Sequence, residues 1–162
     1  MIRVQCYLAF DGTNLDFSEI TETVGVQPSK TRRAGQPRYP GHRPQDSWQL
    51  AIEQWGCSRI NATGPQPSPW PEIATLIERL LKIVAGRESQ IADYCASKGI
   101  DVHMVTVISS SDETLPNMDL PPDTVAALAH IGAGLVFDPY LNLGEDFGEN
   151  ERPDLWQLEQ SV

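Results

Sequence analysis

IRVQCYLAFDGTNLDFSEITETVGVQP, residues 2–28, decides the architecture. Ile2, Val4, Cys6, Leu8 and Phe10 alternate with Arg3, Gln5, Tyr7 and Ala9, the two-residue period of a half-buried strand. Asp11-Gly12 stops that strand. Asp16 or Ser18 then caps a short helix, because a side-chain oxygen there accepts from the first unpaired helical amides. Phe17, Ile20 and Val24 recur along it at three- and four-residue spacing, and Gly25 supplies a left-handed stop. A strand that turns into a short amphipathic helix and out again into an extended run predicts a sheet with helices on one face.

Working outward, residues 26–33 read as extended, with Pro28 early enough for a strand to tolerate its missing donor. Gly35, Pro37, Pro40, Gly41 and Pro44 make a loop, after which Trp48, Leu50 and Ile52 alternate with Gln49, Ala51 and Glu53. The two extended pieces predict a hairpin. Residues 56–71, with Pro65, Pro67, Pro69 and Pro71, read as a long surface connection. Ile73, Leu76, Ile77, Leu80, Leu81 and Val84 form the clearest helical stripe of the chain, which resumes after Gly86 with Ile91, Tyr94 and Cys95 and ends at Lys98-Gly99.

The β-branched run at 100–108 predicts an interior strand with Ile100, Val102, Met104, Thr106 and Ile108 on one face. Pro121, Pro122 and Asp123 open a helix carrying Val125, Leu128 and Ile131, Gly132 closes it, and 133–140 returns as a strand. The order is strand, helix, two strands, helix, strand, helix, strand. It predicts an α+β fold, a mixed or antiparallel sheet with helices on one face, built as a split βαβ (ferredoxin-like) βαββαβ core plus an added αβ. Residues 1–141 form one domain on this reading, and 142–162 an acidic C-terminal tail.

A chain of 162 residues buries enough surface to fold without staples. Three cysteines, Cys6, Cys57 and Cys95, without paired spacing argue against a disulfide framework or zinc cluster and for a reducing, cytoplasmic setting. The N-terminus lacks the pattern of a secretory signal, and no apolar run reaches membrane-spanning length, so neither export nor a membrane is expected. A net charge of −10 disfavours nucleic acid, whose binding requires phosphate neutralisation, and favours basic protein partners.

The charge is sorted along the chain. Between Glu22 and Asp46 there is no carboxylate, while five of the twelve Lys and Arg stand there as Lys30, Arg32, Arg33, Arg38 and Arg43. This segment is a candidate dock for an anion, from a ligand, a partner or the chain's own tail. The plainer reading is a solvated hairpin edge guarded by charge, or a partner for the acidic tail. Residues 142–162 carry six acids against Arg152 alone, together with Leu155, Trp156 and Leu158. Candidate partner contacts are Trp55, Trp70 and Trp156, placed in or near loops, and the acidic Glu145, Asp146, Glu149 and Glu151. Trp48 reads as core, because Leu50 and Ile52 share its face.

Catalytic patterns are thin. His42, His103 and His130 have no metal-ligand spacing, and no nucleophile elbow, P-loop or dinucleotide fingerprint is present, so no cofactor or metal is expected. His103 and Cys6 would meet only if their strands were neighbours, and a buried inert cysteine is the plainer reading. Asp11, Asp16 and Glu19 are a weak cation set, since a turn and a helix cap already use two of them.

The runs Phe17-Ser18-Glu19-Ile20-Thr21, Val24-Gly25-Val26-Gln27-Pro28-Ser29, Arg33-Ala34-Gly35-Gln36-Pro37-Arg38 and Ser47-Trp48, followed by the helix, glycine, strand and Asp138-Pro139-Tyr140 near the end, resemble the bacterial domain-of-unknown-function family 4279. The resemblance covers about 4–140. It implies an α+β domain common in bacteria and supplies no catalytic residues. Small stand-alone members of such families resemble immunity or other interaction proteins. The resulting expectation is a non-enzymatic protein-binding module, an immunity-like inhibitor of a basic toxin or effector. The alternative is a small-anion (phosphate or nucleotide) binding domain.

Overall fold

Trp48 is fully buried against Phe10, ring centroids 5.3 Å apart and planes at 84°, and this edge-to-face pair marks the centre of the core. The computed structural model describes residues 2–35, 45–56, 72–110 and 115–141. They form β1 (Ile2–Gly12), α1 (Phe17–Val24), β2 (Lys30–Arg32), β3 (Asp46–Gly56), α2 (Ile73–Ile83), α3 (Glu88–Lys98), β4 (Asp101–Ser110), α4 (Pro122–His130) and β5 (Ala133–Leu141).

The strands make one five-stranded sheet in the order β2-β3-β1-β4-β5. β1 is antiparallel to β3 and to β4, β2 is antiparallel to β3, and β4 and β5 are parallel. β1 and β2 therefore run the same way with β3 between them. The parallel step from β4 to β5 requires a crossover, and α4 provides it. The α+β class, the hairpin and the interior position of β4 agree with the sequence reading.

Register sorts the side chains. Phe10 lies opposite Trp48 and Val102, Leu8 opposite Leu50 and Met104, and Cys6 opposite Ile52 and Thr106. These join Ile20 and Val24 of α1, Leu76 and Leu80 of α2, Ile91 and Cys95 of α3 and Leu128 of α4 in a single hydrophobic cluster. Ala9, Ala51 and Val105, buried on the opposite side of the sheet, lie outside that cluster. All four helices thus share one face. At about 1.5–3 kcal/mol for each large apolar side chain removed from water, this cluster is the principal stabilising term.

Local chemistry sets the ends of the elements. Asp16 accepts the amides of Ser18 and Glu19 at 2.9 and 3.1 Å, and Gly25 leaves α1 at φ 85°. Arg87, in the turn between α2 and α3, donates to Glu22 O and Thr23 O at 3.0 and 3.2 Å, closing the last carbonyls of α1.

Two expectations are corrected. The helical stripe from Ile73 to Lys98, counted from sequence as one helix, is two, because Gly86 at φ 82° breaks it after Val84. The extended piece expected over 26–33 is ladder-paired only over Lys30–Arg32. Pro28 has no donor, and the Ser29 hydroxyl accepts the Ala51 amide at 2.9 Å where a ladder bond would otherwise form.

Candidate functional site

The other face of the sheet carries none of the described helices. Register places on it Lys30 and Arg32 of β2, Gln49 and Glu53 of β3, Arg3, Gln5 and Tyr7 of β1, His103, Val105 and Val107 of β4, and Val136, Asp138 and Tyr140 of β5. Across the β1–β3 pair, near the start of β1, Arg3 Nε meets Glu53 Oε1 at 3.3 Å, and the Glu53 side chain is only 8% exposed. Glu53 Oε2 is buried without a hydrogen-bond partner, an acceptor left unsatisfied. Along β5 the Tyr140 hydroxyl donates to Asp138 Oδ2 at 2.8 Å. The face is broad and mixed in chemistry.

The cationic residues separate. Lys30 and Arg32 lie on this face at one corner, two positions apart on β2. Arg33 instead has an anionic partner inside the fold. Its Nη1 donates to Asp46 Oδ2 at 3.0 Å and to Leu15 O at 2.6 Å, and its guanidinium carbon lies 3.9 Å from the Phe17 ring centroid. Asp46 is buried and also accepts the amides of Ala34 at 2.7 Å and Leu15 at 2.9 Å. The Ala34 amide, then the Leu15 amide and the Arg33 guanidinium, hold the Asp46 carboxyl below the usual range against the opposing effect of burial. Arg33 therefore braces the β1–α1 connection against β3. Asp46 is the first carboxylate after the acid-free segment, but only the fold pairs it with Arg33 rather than with Lys30 or Arg32.

Arg38, Arg43, Trp70, Trp156, Glu145, Asp146, Glu149 and Glu151 lie outside the described residues. Trp55 stands in β3 opposite Arg3 in the register. The sequence alone missed the Arg3–Glu53 pair, because only strand pairing brings 3 and 53 together.

Cys6 and His103 occupy neighbouring strands but opposite faces. Cys6 Sγ lies 3.5 Å from Thr106 Oγ1 in the core, and burial pushes its thiol up to about 11. Cys95 is raised to about 11 by the same cause. Neither is primed as a thiolate nucleophile.

Asp16 is occupied as a helix cap. Glu19 Oε2 accepts both the Tyr94 hydroxyl and Lys98 Nζ at 3.0 Å, which together lower its carboxyl, the Lys98 bond most. These groups flank a shallow cleft of about 350 Å³ between α1 and α3, with Glu22, Thr23 and Gln90. Among the described residues no cluster of His, Cys, Asp or Glu is arranged to hold a metal ion, and no helix is long and apolar enough to cross a membrane.

Residues 2–142 match the family model described as domain of unknown function DUF4279. The chain belongs to the DUF4279 family. No curated protein and no solved structure matches it. Within this DUF4279 domain the matched span runs from the first strand to just past β5, so it takes in the whole described sheet and its helix-free face.

Proposed function

We propose that this chain is a non-enzymatic protein-binding module, an immunity-like inhibitor that covers a basic surface of a bacterial toxin or effector. The observation that carries this reading is the helix-free face of the sheet. Four long strands about 4.8 Å apart, each about 30 Å long, present about 600 Å². Standard interfaces bury about 800 Å² per partner, whereas small molecules favour concave pockets. A net charge of −10 steers a basic partner toward the molecule, and Asp138 offers it a carboxylate on this face. The finer fold reading belongs with this proposal: β1, α1, β2, β3, the α2–α3 layer and β4 act as a split βαβ (ferredoxin-like) core, with α4 and β5 added at its edge.

The test is affinity capture from the native host with tagged wild-type chain beside a Gln5→Lys/Val107→Lys variant, both changes on the helix-free face. The reading expects a protein retained by the wild type and lost by the variant, whose expression is toxic without this chain. An identical set of proteins on both baits, or none, overturns it.

The small-anion alternative retains Lys30 and Arg32 on one face of β2, while Arg33 is engaged by Asp46. A phosphate- or nucleotide-induced rise in melting temperature that Arg32→Ala removes would favour it.

A further inference from the structure

From Thr124 to Phe137 the chain runs fourteen residues without a single Asp, Glu, Lys or Arg, in a protein that carries 34 such residues, 12 basic and 22 acidic. The fold puts this neutral run at one margin, as most of α4 and β5. β5 is nine residues long and, among the described residues, is paired on one side only, with β4. Of the six exposed large apolar side chains among the described residues, four stand here: Val125 at 50%, Leu135 at 40%, Val136 at 41% and Tyr140 at 47%. A long apolar strand edge is a template for another strand.

We infer that two copies of this chain join through their β5 edges, antiparallel about a two-fold axis, into one continuous sheet. Charge selects the second copy as occupant. At the opposite margin, Lys30 and Arg32 of β2 would meet their own like charges across a two-fold axis, whereas this margin is neutral, and a basic foreign partner would gain no attraction from it. Pairing centred on Leu135, which then lies opposite its own counterpart on the helix face, keeps the two Asp138 carboxylates about six residues apart, roughly 20 Å along the strands. That exceeds the screening length of about 10 Å at moderate salt. Pro139 has no amide donor and sets the limit of pairing in that direction. On the helix side of the sheet, α4 packs on β5, so Val125 and Leu135 of one copy meet their counterparts across the axis.

The test is sedimentation equilibrium of the full chain from micromolar to near-millimolar concentration, at low and high salt. The expected result is a species of twice the 17.9 kDa chain mass whose formation strengthens as salt screens the repulsion between acidic copies. Leu135→Lys and, separately, Val125→Lys weaken association at least about tenfold, while Ile83→Lys, equally exposed on α2, leaves it unchanged. Far-UV circular dichroism confirms that each variant is folded, and either edge variant suffices if the other is not. A single-chain mass at every concentration and salt, or association that persists unchanged in a folded edge variant, overturns the inference. Because Leu135 and Val125 lie off the helix-free face, that outcome leaves the reading of that face standing.

Discussion

Arg87 lays its guanidinium across Gly25: a Cβ built on that glycine would lie 2.5 Å from Arg87 Cζ, and the glycine itself sits at φ 85°. The two positions are far apart in sequence, yet they close the same helix end, Gly25 through its left-handed backbone and Arg87 through bonds to Glu22 O and Thr23 O. Gly25→Ala is therefore expected to destabilise the fold by about 2 kcal/mol, from left-handed strain and displacement of Arg87. In an Arg87→Ala background the same change loses the collision and falls to about 1 kcal/mol. Urea titrations of the four-member cycle measure the coupling, and additive values would contradict it.

Asp46 gathers two backbone amides and one guanidinium. Asp46→Ala leaves the Leu15 and Ala34 amides without that acceptor and is expected to lose about 3 kcal/mol. Arg33→Ala, with the Arg33 side chain 55% exposed, loses about 1 kcal/mol. Chemical denaturation of both variants checks the ranking.

The carboxyl of Asp46 is lowered in the fold, so its contribution is present above its unfolded pKa, about 3.9, and is lost as pH falls through the folded value. Stability measured from pH 6 downward should thus decline in the acid range, below about pH 4. Asp46→Asn should flatten part of that decline. A wild-type and variant curve of the same slope would remove Asp46 from the account.

Trp48 donates its indole N–H to Thr21 Oγ1 at 3.0 Å across the sheet–helix interface. Thr21→Val leaves a buried donor unpaired and should cost about 1–2 kcal/mol, whereas Trp48→Ala, which also opens a cavity, should cost about 3–5 kcal/mol. Thermal melts followed by tryptophan fluorescence and circular dichroism separate the two.

Cys6 and Cys95, raised to about 11 by burial, should resist alkylation at pH 8 in the native protein and react after denaturation. Peptide mass mapping of iodoacetamide-treated samples reads each site separately. Native labelling of Cys6 would show that the core face of β1 is open to reagent.

Much of this architecture was legible without coordinates, because it rests on local rules. The alternation from Ile2 to Phe10, the Asp16 cap with its Gly25 stop, and the apolar stripe of α2 each follow from neighbouring side chains and backbone preferences. The same rules placed Trp48 and Cys6 in the core.

The division of α2 from α3 was misread because the apolar stripe continues across the break, and periodicity does not register a single left-handed glycine. The role of Arg33 was hidden for a different reason. Lys30, Arg32 and Arg33 are alike in composition, and only the position of Asp46 distinguishes them.

The sequence by itself determined β1, the capped helix α1 with its Gly25 stop, the apolar stripe of α2 and the uneven distribution of charge, since each depends on residues within a few positions of one another. Tertiary structure alone decided that 3 meets 53, that Arg33 meets Asp46, and that Cys6 and His103, on neighbouring strands, lie on opposite faces. Strand neighbours are chosen by the burial of whole faces and by which crossovers the chain permits, a sum over distant contacts that no local window contains.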